Sequence, residues 1–203
     1  MAYDFPMANT DAARARIAQE AGKLPEGVRR HIEEVRQWCV ELAKAHRIDV
    51  AKAELAAIAH DVCRTVKAGD LLAMAREYGI PVTPLDEAFP VFLHGPVGAQ
   101  VLKRRHALAD EEILNAIACH TMGRPGMTPL DKALFLADKL DPSKVSRYPF
   151  IAEVARLAKG DLDAAMVCFV DHQVKAFLDQ GDLVHPAMLA ARNEAILAKR
   201  KQP

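Results

Sequence analysis

The feature that most constrains this chain is a histidine and an aspartate, His60-Asp61, set into the apolar run Val50-Ala-Lys-Ala-Glu-Leu-Ala-Ala-Ile-Ala-His-Asp-Val-Cys-Arg64. Asp49 suits an N-cap, and Ala51, Leu55, Ile58 and Val62 recur at offsets of four, three and four, so the pattern predicts one helix through the run. Neither Gly nor Pro interrupts it. An imidazole and a carboxylate therefore fall at the edge of an inward face, where an unpaired polar group costs about 2 to 7 kcal/mol and a charge more. A lone pair of this kind is ordinarily a hydrogen-bonded core histidine. Further polar groups along the chain change that balance.

The 203 residues suffice for one core, and we expect a single domain over 24–203 preceded by a tail and short helix over 1–23. Hydrophobic residues make up 51% but aromatics only 5%, with Ala and Leu dominant, which suits close-packed helices and predicts an all-α fold. Basic and acidic residues balance at 27 each, so no global field draws in nucleic acid or an anionic membrane. Any anionic ligand must be held by local charge. Cys39, Cys63, Cys119 and Cys168 are isolated, with no CxxC pair, and read as reduced core thiols of a cytoplasmic protein. The N-terminus lacks the basic and apolar regions of a signal peptide, and no apolar run reaches membrane-spanning length.

A helix over about 27–46 carries Val28, Ile32, Val35, Cys39 and Leu42 as its stripe, and His31 lies within it. His46, at its end, is explained by the helix dipole. Asp70 is expected to cap a helix reaching about Tyr78, and Ile80 to Pro90, with three prolines, reads as a loop forming a lid or wall. Gly95 and Pro96 place His94 at a helix start. A helix from about Asp110 aligns Ile113, Ala116 and Ile117 with His120. The following loop, Thr121-Met-Gly-Arg-Pro-Gly-Met127, sets Arg124 between two glycines, an arrangement that serves phosphate or is an ordinary solvated turn. Thr128-Pro129 with Asp131 makes a capping box, and Leu130, Leu134 and Ala137 make an inner face on which Asp138 falls. Lys144 and Arg147 sit in a polar loop available to anions. Helices over about 150–159 and 161–180 and one after His185-Pro186 read as packing elements, with His172 and His185 structural.

His31, His60, Asp61, His120 and Asp138 are thus polar groups at or beside inward positions of four helices, and His94 opens a fifth. Imidazoles and carboxylates without thiolate favour iron or manganese, with zinc or cobalt as alternatives. Six candidate ligands exceed what one catalytic ion needs, so a pair of ions, or one ion with spare histidines for substrate, is the economical reading.

The order His, His-Asp, His, His, Asp resembles the HD superfamily of metal-dependent phosphohydrolases. Within it, His94-Gly-Pro-Val-Gly-Ala99, His120 to Met127, Leu130 to Asp138 and Ala191-Arg-Asn193 look like the YqeK family, over about Leu24 to Asn193. That resemblance implies an iron-dependent enzyme that hydrolyses diadenosine tetraphosphate symmetrically to two ADP. It implies that His31, His60, Asp61 and Asp138 hold the main metal, and that His94 and His120 face a second metal position or the phosphates. It also implies nucleotide contacts from Arg64, Thr121 and Lys144, while Val28 stands where the family usually has arginine. Asp61, His94 and His120 are the expected catalytic residues, and Arg124 and Asp138 join the expected substrate contacts. The expected partner is a dinucleoside polyphosphate, handled by a monomer or homodimer. The competing readings are another HD-type nucleotide phosphohydrolase or phosphodiesterase, and a nucleotide-binding sensor that does not turn over.

Overall fold

A computed structural model describes residues 8–140 and 149–200, and among these the protein is all-α with no strand. In chain order the helices are α1 (Ala8–Gly22), α2 (Glu26–Ala45), α3 (Val50–Ala59), α4 (Ala68–Glu77), α5 (Pro84–Ala88), α6 (His94–Arg105), α7 (Glu111–Cys119), α8 (Pro129–Lys139), α9 (Ile151–Ala158), α10 (Leu162–Gln180) and α11 (Pro186–Arg200). Lys144 and Arg147 lie outside the described residues. No described helix is long and apolar enough to cross a membrane.

Capping chemistry fixes several of the starts. Asp49 accepts from the Ala51 and Lys52 amides, Asp110 from Glu112 and Ile113, and Asp161 from Ala164. Thr128 and Asp131 form the expected reciprocal box with Pro129 in the first turn of α8. Each such cap contributes about 1 kcal/mol and sets where the following side chains fall.

α2, α3, α7 and α8 pack on one another around Val35, Cys39, Leu55, Ile113, Ile117, Leu130 and Leu134. Ile17 of α1 is fully buried in the same core, which ties the N-terminal helix to α3. On the far side of α8, Phe135 and Leu136 pack with Val154, Met166, Phe169 and Met188 of α9 to α11. Burial of side chains of this size stabilises by about 1.5 to 3 kcal/mol each. α8 is therefore shared by both cores, and its C-terminal end, bearing Asp138, is held from two sides.

Three expected elements differ. The helix carrying His60-Asp61 stops at Ala59. The His60 ring takes the Ala57 carbonyl through Nδ1 at 2.7 Å, and the next bonds run three residues back, Val62 N to Ala59 O and Arg64 N to Asp61 O. Ile80 to Pro90 is not all loop, because Thr83 and Asp86 form a second capping box with Pro84 in the first turn of α5. α4 starts at Ala68, so Asp70 lies in its first turn, and Lys67 occupies the cap position.

Candidate metal centre

His60 and His120 are placed by the same local device on two different helices. Each follows the last residue of its helix, α3 or α7, and each turns Nδ1 back to the carbonyl three residues earlier, Ala57 or Ile117, both at 2.7 Å. His94, at the start of α6, does likewise to the Val91 carbonyl at 2.5 Å. A ring nitrogen facing a carbonyl must be the donor, so in a neutral ring Nε2 carries the lone pair, and in all three residues it is Nε2 that projects inward. Such second contacts orient imidazole ligands in metal sites.

The two carboxylates stand between these nitrogens. Asp61 Oδ1 is 3.1 Å from His94 Nε2 and 3.8 Å from His120 Nε2, whereas Oδ2 is 3.6 Å from His60 Nε2 and 4.0 Å from His31 Nε2. Asp138 Oδ1 is 2.9 Å from His31 Nε2 and 3.9 Å from His60 Nε2. The six residues thus form two groups sharing Asp61: one of His31, His60 and Asp138, the other of His94 and His120. His60, His120, His94 and Asp61 are 0, 1, 3 and 4% exposed.

Burial works against ionising Asp61, but His60, His94 and His120 outweigh it and hold its carboxyl below the ordinary range. Asp138, also opposed by burial, is held well below that range by Lys139 and His31. Burial keeps His60 and His120 neutral by lowering their pKa values. At neutral pH Asp61 and Asp138 are therefore carboxylates and His60 and His120 neutral imidazoles, the form in which such groups bind metal.

Two observations test the fit of a divalent ion. His60 Nε2 is buried and has no hydrogen-bond partner among the described residues. The Nε2 atoms of His94 and His120 face each other at 3.0 Å with both Nδ1 atoms already committed. Lone pairs so placed need a cation or proton between them, and ligand atoms of His31, His60 and Asp138, and of His60, Asp61 and His120, lie within 4.8 Å of one another. Nitrogen and oxygen donors without sulfur suit a borderline-to-hard divalent ion.

The centre opens into a cleft of about 480 Å³ whose wall includes Val28, Arg64, Phe92, Thr121 and Lys139. Thr121 Oγ1 lies 3.2 Å from His120 Nε2. Lys139 was not identified from the sequence, where only its position after Asp138 pointed to it. Its Nζ donates to Asp138 Oδ2 at 2.5 Å and reaches the His120 carbonyl at 3.4 Å. Gly95 was missed as a spacer: a Cβ there would stand 2.9 Å from the Ile117 carbonyl and 3.2 Å from His120 Cε1. Its bareness lets α6 approach α7 closely enough for His94 to meet His120.

Arg124 is not among the residues lining this cleft. Its guanidinium donates to Asp131 Oδ2 at 2.8 Å, the oxygen that also accepts the Thr128 amide in the capping box. The glycine-rich loop is thereby tied to the start of α8, and Gly126 N–H donates to Glu194 of α11. Lys144, expected on the opposite wall, lies outside the described residues.

Residues 28–143 match the family described as the HD domain. The chain is 31% identical to a symmetrical bis(5'-nucleosyl)-tetraphosphatase of Halalkalibacterium halodurans, over 88% of this chain and 98% of the relative. It is 33% identical to a protein of the same description from Bacillus subtilis, over 88% of this chain and 92% of that one. A solved structure from Clostridium acetobutylicum, described as an HD superfamily hydrolase involved in NAD metabolism, superposes with TM-score 0.85 at 28% identity, covering 91% of this chain and 97% of that one.

Proposed function

The chain belongs to the HD domain family, and from that premise we propose that it is a divalent-metal-dependent enzyme that hydrolyses diadenosine tetraphosphate symmetrically to two ADP. The observation that carries the reading is Asp61, whose two oxygens face two separate groups of imidazole Nε2 atoms at the floor of a cleft.

In this reading His31, His60, Asp61 and Asp138 hold the main ion, most simply iron, with manganese, cobalt or zinc as substitutes. His94 and His120 would hold a second ion or face the phosphates, and Asp61 faces both sets of imidazoles. A divalent ion supplies Lewis acidity and lowers the pKa of a coordinated water. The remaining work belongs to the chain. Arg64, Thr121 and Lys139 bring a guanidinium, a hydroxyl and an ammonium to the cleft wall, where they bind and orient a polyphosphate. The departing ADP is already an anion at neutral pH, so cations facing it serve the transition state more than a proton donor does. His94 and His120 line the cleft with their Nε2 atoms 3.0 Å apart, where they would face the phosphates.

Chromatography of the products formed from diadenosine tetraphosphate tests the reading. The expected result is ADP alone, two for each substrate, with the rate lost on chelation and restored by a divalent ion. ATP with AMP in equal amounts, or binding without product, overturns it; the latter outcome would make the protein a nucleotide sensor.

A further inference from the structure

A second group of metal-ligating side chains lies away from this cleft, on the hairpin of α9 and α10. Glu153 of α9 and Cys168 and His172 of α10 each offer one ligand atom, and the three atoms lie within 4.8 Å of one another. Cys168 and His172 are four residues apart on one helix, so their side chains share a face one turn apart, a spacing that lets two side chains chelate one ion. The Phe150 ring lies parallel to the His172 imidazole, centroids 4.6 Å apart and planes 8° apart, which restricts the orientation of the imidazole. None of the three ligating side chains has a hydrogen bond or ion pair among the described residues.

We propose that Glu153, Cys168 and His172 form a second divalent-metal site, of zinc-like preference, that cross-links α9 to α10. A thiolate, an imidazole and a carboxylate are a three-ligand set for tetrahedral zinc or cobalt, leaving the fourth position to water. Bond lengths of about 2.0 to 2.3 Å bring the ligand atoms to within roughly 3.3 to 3.8 Å of each other, and partly exposed side chains reach this by small rotations. Binding releases the Cys168 thiol proton to water as the sulfur coordinates, with no change of oxidation state. The donor set separates this site from the central one, which contains no sulfur. Cys39, Cys63 and Cys119 are buried, so Cys168 is the accessible thiol. α10 also packs on α8, so an ion here stiffens the support behind the helix that carries Asp138.

Cobalt titration of the metal-stripped, full-length protein tests this without reference to hydrolysis. The expected result is a thiolate-to-cobalt charge-transfer band that grows with added Co²⁺, is bleached by Zn²⁺, and is lost in Cys168→Ser and weakened in His172→Ala. Turnover should persist in both variants. Zinc should also slow the labelling of Cys168 by a thiol reagent in the wild type but not in His172→Ala. The absence of a thiolate band at saturating Co²⁺, its survival in Cys168→Ser, or Cys168 labelling unchanged by zinc overturns the site.

Discussion

His94 Nε2 and His120 Nε2 stand 3.0 Å apart although 26 residues separate them, and neither ring can turn its other nitrogen inward, because both Nδ1 atoms face backbone carbonyls. The contact depends on how closely α6 and α7 approach, and Gly95 sets that distance. Gly95→Ala would place a methyl 2.9 Å from the Ile117 carbonyl, forcing the helices apart and His94 away from His120. The expected outcome is a folded protein with metal affinity weakened about ten- to a hundredfold, the usual effect of disturbing the support of a ligand. Calorimetric metal titration of the variant checks this, and wild-type affinity would show that the approach does not matter.

The metal-free protein should lose stability as the solution is acidified. His60 and His120 have folded-state pKa values below their ordinary 6.5, so below about that pH the unfolded chain takes up protons that the folded chain refuses. Each contributes a loss of up to about 1.4 kcal/mol per pH unit within its window. Asp61 and Asp138, also lowered, add a loss of the same sign in the carboxylate range at still lower pH. Thermal unfolding of chelated protein should give a Tm that falls steadily below about pH 6.5. A Tm that is flat or rises there would contradict neutral, buried imidazoles.

Lys139 and Arg64 are expected to bind the polyphosphate from the cleft wall. A charge-assisted contact in a partly desolvated cleft is worth about 1.5 to 3 kcal/mol, so Lys139→Met or Arg64→Ala should lower kcat/KM roughly ten- to a hundredfold. Bound metal should stay constant, because Asp138 presents Oδ1 to the histidines and only Oδ2 to Lys139. Solvated surface charges would instead leave kcat/KM within about twofold. Steady-state kinetics with elemental analysis of the same samples separates the two.

Much of this candidate centre was legible in the sequence because each candidate ligand rides on an element with a clear local code. The apolar stripe of α2 carries His31 inward, the Thr128-Asp131 box fixes the register of α8 and so of Asp138, and Asp110 caps the start of the helix that His120 directly follows. What was not legible is set by contacts between distant parts of the chain. For Arg124, between a phosphate contact and a solvated turn, loop composition does not reveal that Asp131, already engaged as a cap, also takes the guanidinium. The helix before His60 ends sooner than its periodicity implies, because periodicity ignores a side chain that captures a backbone carbonyl three residues back, here that of Ala57. The importance of Gly95 depends on α7 lying against it, and Cys168 and His172 gain a partner in Glu153 only once α9 folds onto α10. The short helix α5 was a different kind of miss, since its Thr83-Pro84-Leu85-Asp86 signal was present but masked by three nearby prolines.

Asp61, proposed as the carboxylate shared by both halves of the centre, is best probed by the turnover of Asp61→Ala. Because this side chain contributes ligand oxygens and little apolar packing, the variant should keep the wild-type helical circular dichroism. Hydrolysis of diadenosine tetraphosphate by this folded variant should be abolished. Near wild-type turnover, with wild-type metal content at the centre, would contradict it.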